Sequence, residues 1–134
     1  AFPDDDSETT DSDGDGVGDN ADVFPNDETE TTDSDGDGVG DNADAFPDNP
    51  NRSVGLSLSV TDYKIKGVQH ADLSWSGAIT NVDIKRDGIM IRSNEPNDGA
   101  FTDNINSKGG GVNYTYEVCE TSTDICTNEA TVVF

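Results

Sequence analysis

The sequence predicts two unlike parts: a largely irregular, helix-free repeat segment over residues 1–50, and an all-β sandwich over residues 51–134. Three observations carry this. The 134-residue chain has a formal net charge of −22, and 18 of its 29 acidic residues stand in residues 1–50, where no Lys or Arg occurs. The string DSDGDGVGDNAD fills residues 11–22 and returns letter for letter at 33–44. From residue 56 onward, short stretches alternate apolar and polar residues between turn signals, the period of a strand with one buried face.

The charge break falls at Arg52, the first basic residue, and the remainder of the chain carries a net charge near −4. Before the break the apolar residues are few: Phe2, Val17, Val23, Phe24, Val39 and Phe46 are the main ones. They cannot offset a backbone entropy of roughly 1–2 kcal/mol per residue, so composition alone predicts disorder there. After the break come nearly all the large side chains, among them Tyr63, Trp75, Phe101, Tyr114, Tyr116 and Phe134. A surface this acidic repels nucleic-acid phosphates. No apolar run approaches the ~20 residues that span a bilayer. No signal-peptide pattern opens the chain, and its first residue falls on a repeat boundary, the expectation for a mature protein or a piece cut from a longer array.

The repeat is longer than the loop. Residues 1–22 align without gaps on 23–44, and AFPDNP at 45–50 begins a third unit that stops, giving a period of 22. Counted from its first Asp, each loop has carboxylates at positions 1, 3, 5, 9 and 12: Asp11, Asp13, Asp15, Asp19 and Asp22, then Asp33, Asp35, Asp37, Asp41 and Asp44. Gly16 and Gly38 hold position 6, and Val17 or Val39 at position 7 offers a backbone carbonyl. Oxygen donors at alternate positions, a Gly where the chain turns and a carboxylate that closes at 12 are the ligand order of a calcium loop. Magnesium prefers a tighter octahedron, and zinc wants Cys or His, which residues 1–50 lack. A merely solvated acidic run does not explain five Asp at fixed offsets twice.

An EF-hand is excluded on two grounds. Position 12 is Asp instead of the bidentate Glu, and the flanks lack a helical apolar period. Residues 1–50 instead resemble the thrombospondin type 3 repeat, whose Asp pattern both loops match throughout. That resemblance implies a helix-free chain wrapped around calcium, often with more than one ion per motif. Charge counting agrees: one Ca²⁺ among five carboxylates leaves −3, and two leave −1. A second ion would draw on upstream acids such as Asp5, Asp6 or Asp27, whose spacing is not fixed. Animal members carry Cys-Pro in the linker, whereas Phe24-Pro25 and Phe46-Pro47 stand here, as packing pegs followed by a stiffened exit.

The strands follow in order. LSLSV (56–60) and ADLSWSG (71–77) alternate, with Leu73 and Trp75 on one face. NVDIKRDGIMIRS (81–93) reads as a hairpin turned by Asp87-Gly88, with Val82 and Ile84 on one side and Ile89 and Ile91 after the turn. GAFTDNI (99–105) is a short strand. VNYTYEVCE (112–120) puts Val112, Tyr114, Tyr116 and Val118 on one face, and EATVVF (129–134) closes the chain. Cys119 and Cys126 flank the loop ETSTDI and predict a disulfide.

Trp75 on the second strand and the Tyr-x-Tyr-x-Val run on the sixth resemble a fibronectin type III domain of the Ig-like sandwich class. They also resemble the modules that end many secreted bacterial hydrolases. The implied setting is extracellular, secreted or at a bacterial cell surface. The implied role is non-catalytic: a calcium-stiffened spacer and a sandwich module attached to a catalytic or anchoring domain elsewhere in a larger protein. Alternatives are binding of extracellular polysaccharide or protein substrate, against which inward-looking Trp75 and tyrosines count, and calcium-dependent adhesion or self-association. His70, the only His, reads as a turn or strand-edge residue with no catalytic partner. NRS (51–53) and NYT (113–115) match a glycosylation acceptor pattern that is common by chance.

Overall fold

The computed structural model describes residues 8–134, so Phe2, Asp5 and Asp6 lie outside the described residues. It divides into two compact units, one ending at Gly55 and one running from Leu56 to Phe134. Among the described residues there is no helix, and hence none long and apolar enough to cross a membrane.

The described residues of the first unit form turns, without strands. Each acidic loop is closed by a backbone bond across its neck, Asp19 N–H to Thr10 C=O at 3.1 Å and Asp41 N–H to Thr32 C=O at 3.0 Å. The linker after the first loop then folds into consecutive turns: Asp27 donates to Phe24 and Glu30 to Asp27, at 2.9 and 3.0 Å. Residues 45–53 repeat these bonds with Asn49 to Phe46 and Arg52 to Asn49, both 2.9 Å, so the start of the third unit folds like the linker at residues 23–32.

The second unit has seven strands: β1 (Ser57–Ile65), β2 (Val68–Ser76), β3 (Val82–Arg86), β4 (Ile89–Glu95), β5 (Ala100–Lys108), β6 (Asn113–Glu120) and β7 (Ala130–Val133). They form two antiparallel sheets, β1-β2-β5 and β4-β3-β6-β7, consistent with a β-sandwich. The core lies on their inner faces, where Ala71, Leu73 and Trp75 of β2, Val82 and Ile84 of β3, Tyr116 and Val118 of β6 and Val132 of β7 are at most 5% exposed. Strand alternation alone selects this set, since successive side chains point to opposite faces.

Asp87 and Gly88 both have positive φ (52° and 74°), the backbone that a two-residue hairpin needs to match strand twist. Lys66 and Gly67 do the same (49° and 81°), so β1 and β2 are one long hairpin where the sequence shows two shorter stretches. The alternation of residues 56–60 changes phase at Thr61-Asp62, which hides the continuation of β1 to the turn. Ile89, next to the hairpin turn and opposite Arg86, is 70% exposed, while Ile91 packs on the core. Two expected facings are corrected. Val112 is 42% exposed, since β6 starts only at Asn113. Tyr63 lies on the outer face of β1, stacked on His70 with ring centroids 5.2 Å apart, and His70 sits within the central strand β2 instead of at a turn or edge.

One polar cluster ties the sheets together. Arg86 of β3 pairs with Asp103 of β5 at 2.6 Å, and the Tyr116 hydroxyl of β6 donates to the same carboxylate at 2.8 Å. The Cys119–Cys126 disulfide joins the end of β6 to the approach of β7.

Candidate metal centre

The acidic loops alternate without being strands. Asp11, Asp13, Asp15 and Val17 are half-buried while Ser12, Gly14 and Gly16 are exposed, and residues 33–39 repeat the pattern. The glycines make this possible: Gly14, Gly16, Gly36 and Gly38 all take φ between 79° and 99°, which a side chain would strain. The chain therefore winds around its own carboxylates.

The structure brings positions 1, 3 and 5 together. One oxygen from each of Asp11, Asp13 and Asp15, and likewise of Asp33, Asp35 and Asp37, lies within 4.8 Å of the others. Two unit charges at that spacing repel by about 1 kcal/mol with the screening of bulk water and about 3.5 kcal/mol at an effective dielectric near 20. Backbone donors offset part of this: Gly14 and Gly36 N–H bond Asp11 and Asp33 at 2.7 Å, and Val17 and Val39 N–H bond Asp15 and Asp37 at 2.7 and 2.9 Å. Those bonds use the Oδ1 atoms.

The second oxygens are a different matter. Asp13 Oδ2 and Asp15 Oδ2, with Asp22 Oδ2 at position 12, are buried without a hydrogen-bond partner, as are Asp35 Oδ2 and Asp44 Oδ2 in the second loop. Asp22 and Asp44 as residues are only 8% exposed, and their Oδ1 atoms accept the Phe24 and Phe46 N–H groups at 2.8 and 2.7 Å. Burial pushes the Asp35 carboxyl above its usual range, and the nearby charges of Asp37, Asp44 and Asp33 push it the same way. Asp44 at position 12 is therefore near enough to Asp35 at position 3 for their charges to interact. Buried, unpaired carboxylate oxygens are costly enough that they ordinarily pair or coordinate metal.

Position 9 is used differently. Asp19 accepts the Ser12 N–H and hydroxyl, at 2.7 and 2.8 Å, one on each oxygen. Asp41 does the same with Ser34, both at 2.7 Å, and adds the Thr32 hydroxyl at 2.9 Å. The serine bonds are the main reason that both carboxyls titrate below the usual range. These two Asp pin the loop neck through both carboxylate oxygens, and Asp33 likewise accepts on both, from the Gly36 and Gly38 N–H groups at 2.7 and 2.9 Å. Asp27 is exposed and occupied by Thr29, whose hydroxyl and N–H hold its carboxyl below the usual range.

The side-chain donors of each loop are all carboxylate oxygens, which fits a hard divalent cation. Glu8 and Glu30, to which the sequence reading gave no role, are 6% and 5% exposed and reach into the turn before position 12. Their one sequence signal is recurrence at the 22-residue period. A third group of potential ligands, Glu117 with Cys119 and Cys126, is not a comparable site because both sulfurs are spent in the disulfide.

No protein family, curated protein or solved structure matches the chain.

Proposed function

We propose that the two loops are calcium sites and that residues 8–53 are a spacer whose shape depends on the ion, joined to a non-catalytic β-sandwich module. The observation that carries this reading is the set of five buried Oδ2 atoms, from Asp13, Asp15, Asp22, Asp35 and Asp44, that have no hydrogen-bond partner. Asp11 and Asp33 complete the carboxylate sets at position 1, Val17 and Val39 offer carbonyls, and Asp19 and Asp41 hold the loops closed. The ion supplies positive charge where the polypeptide supplies none.

Without it, residues 8–53 are a charged, protease-sensitive tether. With it, at free calcium 100 times the dissociation constant, each independent site adds about 2.7 kcal/mol to the ordered form. Extracellular calcium modules bind at roughly 10⁻⁴–10⁻³ M, so a millimolar extracellular concentration suffices. The disulfide fits the same oxidising, secreted or cell-surface setting. Thrombospondin type 3 character of the repeats, and Ig or fibronectin III character of the three-plus-four sandwich, belong to this proposal.

A calorimetric calcium titration with small-angle scattering at both ends tests it. Saturation at two to four ions per chain, with contraction of the particle, upholds the reading; a chain that ignores millimolar calcium ends it. A second reading, a polysaccharide- or protein-binding sandwich, draws on the outward Tyr63–His70 stack beside Asp72, which accepts from the Tyr63 and Thr102 hydroxyls at 3.2 and 2.7 Å. Retention on insoluble polysaccharide that Tyr63→Ala abolishes would favour it.

A further inference from the structure

The eighth residue of the 22-residue unit is buried each time it occurs: Glu8 at 6%, Glu30 at 5% and Arg52 at 3% exposure. A buried carboxylate needs a reason. Glu8 Oε2 accepts the Asn20 N–H at 2.9 Å and Glu30 Oε2 accepts the Asn42 N–H at 3.0 Å, each twelve residues along the chain. To get there each side chain crosses a glycine so closely that a Cβ on Gly18 or Gly40 would collide with it. Neither glycine owes its place to a positive φ; close approach alone demands it.

What the carboxylate grips is the turn Gly-Asp-Asn at residues 18–20 and 40–42. The Gly18 carbonyl of that turn accepts from Ala21 and Asp22 at 2.8 and 2.9 Å, and the Gly40 carbonyl from Ala43 and Asp44 at 3.0 and 2.9 Å. The turn therefore delivers the position-12 carboxylate. The third unit is an internal control: no acidic loop follows Arg52, and there the buried residue is a cation whose guanidinium lies 4.6 Å over the Phe46 ring.

We propose that Glu8 and Glu30 are positioning residues for the calcium loops, each clasping its Gly-Asp-Asn turn so that Asp22 or Asp44 meets the carboxylates of positions 1, 3 and 5. This rests on the reading of the loops as calcium sites. The clasp works through an acceptor oxygen on a backbone amide, not through charge on the ion. It also explains why one glycine per loop is needed in a part of the turn where backbone conformation does not require it.

The test is a calcium titration of the full chain followed by residue-resolved NMR, so that the two loops are read separately and the sandwich signals report folding. Hydrogen bonds to charged groups and their neutral counterparts set the scale. Glu30→Ala should weaken the second loop by about thirtyfold and leave the first unchanged, whereas Glu30→Gln, which keeps an acceptor oxygen in place, should lose only about fivefold. Gly40→Ala should match Glu30→Ala, and the double variant should be no worse than either, because the added methyl then has nothing to displace.

A Glu30→Gln loss equal to that of Glu30→Ala would make the charge itself the ligand and overturn the clasp; an undiminished affinity in Glu30→Ala would overturn it as well. If the parent chain ignores calcium, the calcium reading falls by itself. The clasp is then judged from amide exchange: protection of the Asn42 N–H that Glu30→Ala removes upholds it, and an unprotected Asn42 N–H ends it.

Discussion

The repeat unit and the sandwich bury every second residue, yet they bury opposite chemistries. In β2 the inward residues are Gln69, Ala71, Leu73 and Trp75, none more than 5% exposed, and apolar burial at roughly 25 cal/mol per Å² holds the sheets together. In the loop at residues 11–17 the inward residues are Val17 and three Asp, Asp11, Asp13 and Asp15, whose carboxylates repel. Alternating burial is therefore not in itself the mark of an apolar core. The sandwich carries its cohesion in its own side chains, while the repeats gather like-charged oxygens that repel one another.

This contrast can be broken by experiment, and the largest effect is expected from calcium removal. Chelation should expose residues 8–53 to rapid proteolysis while the sandwich melts at an unchanged temperature; a sandwich that melts with the repeats would erase the distinction. The converse perturbation is Leu73→Ala, which should cost the sandwich about 3 kcal/mol in denaturant unfolding and leave calcium affinity untouched. Replacing both Cys119 and Cys126 with Ser should remove about 2.5 kcal/mol on the loop-closure scale, again from the sandwich alone. Within the repeats, Asp44→Asn should weaken the second loop about tenfold, while Asp41→Asn should cost less, because Asp41 already spends its oxygens on Ser34 and Thr32. Equal losses at the two positions would mean that pinning and coordination are not separate tasks.

The smallest effect concerns alkaline pH. Burial, reinforced by the hydrogen bond to Asp103, pushes the Tyr116 hydroxyl well above the ordinary phenol value of 10.0. A group whose folded value is raised contributes stability that is complete below its unfolded value and lost as pH rises through the folded one. Sandwich stability should therefore decline above about pH 10, more shallowly in Tyr116→Phe, with phenolate absorbance from Tyr116 appearing only as the sandwich unfolds. The repeats contain no Tyr, so they supply no such signal.

Much of this was legible in the residues. The two copies of the loop put every Asp in register before any coordinate, and the strand alternation placed Leu73, Trp75, Val82, Ile84, Tyr116 and Val118 inside. The Asp87-Gly88 turn was equally plain, whereas Lys66-Gly67 was masked by charged neighbours. Tyr63 was misread because a large aromatic side chain is no proof of an inward facing, and a stack on His70 occupies it on the outer face. In the loops, five Asp looked alike, and the serine bonds that set Asp19 and Asp41 apart were not visible.

What the sequence by itself determined is therefore what depends on spacing: a 22-residue period, oxygen donors at alternate positions, and two-residue periods in the strands. Spacing decides which residues share a face, and that is local geometry. Only the tertiary structure decided that Asp19 and Asp41 turn to serines, that Glu8 and Glu30 lie across glycines, and that Arg86, Asp103 and Tyr116 meet between sheets. Each of these joins atoms from separate turns or strands, and a carboxylate's partner depends on what the fold brings within hydrogen-bond reach.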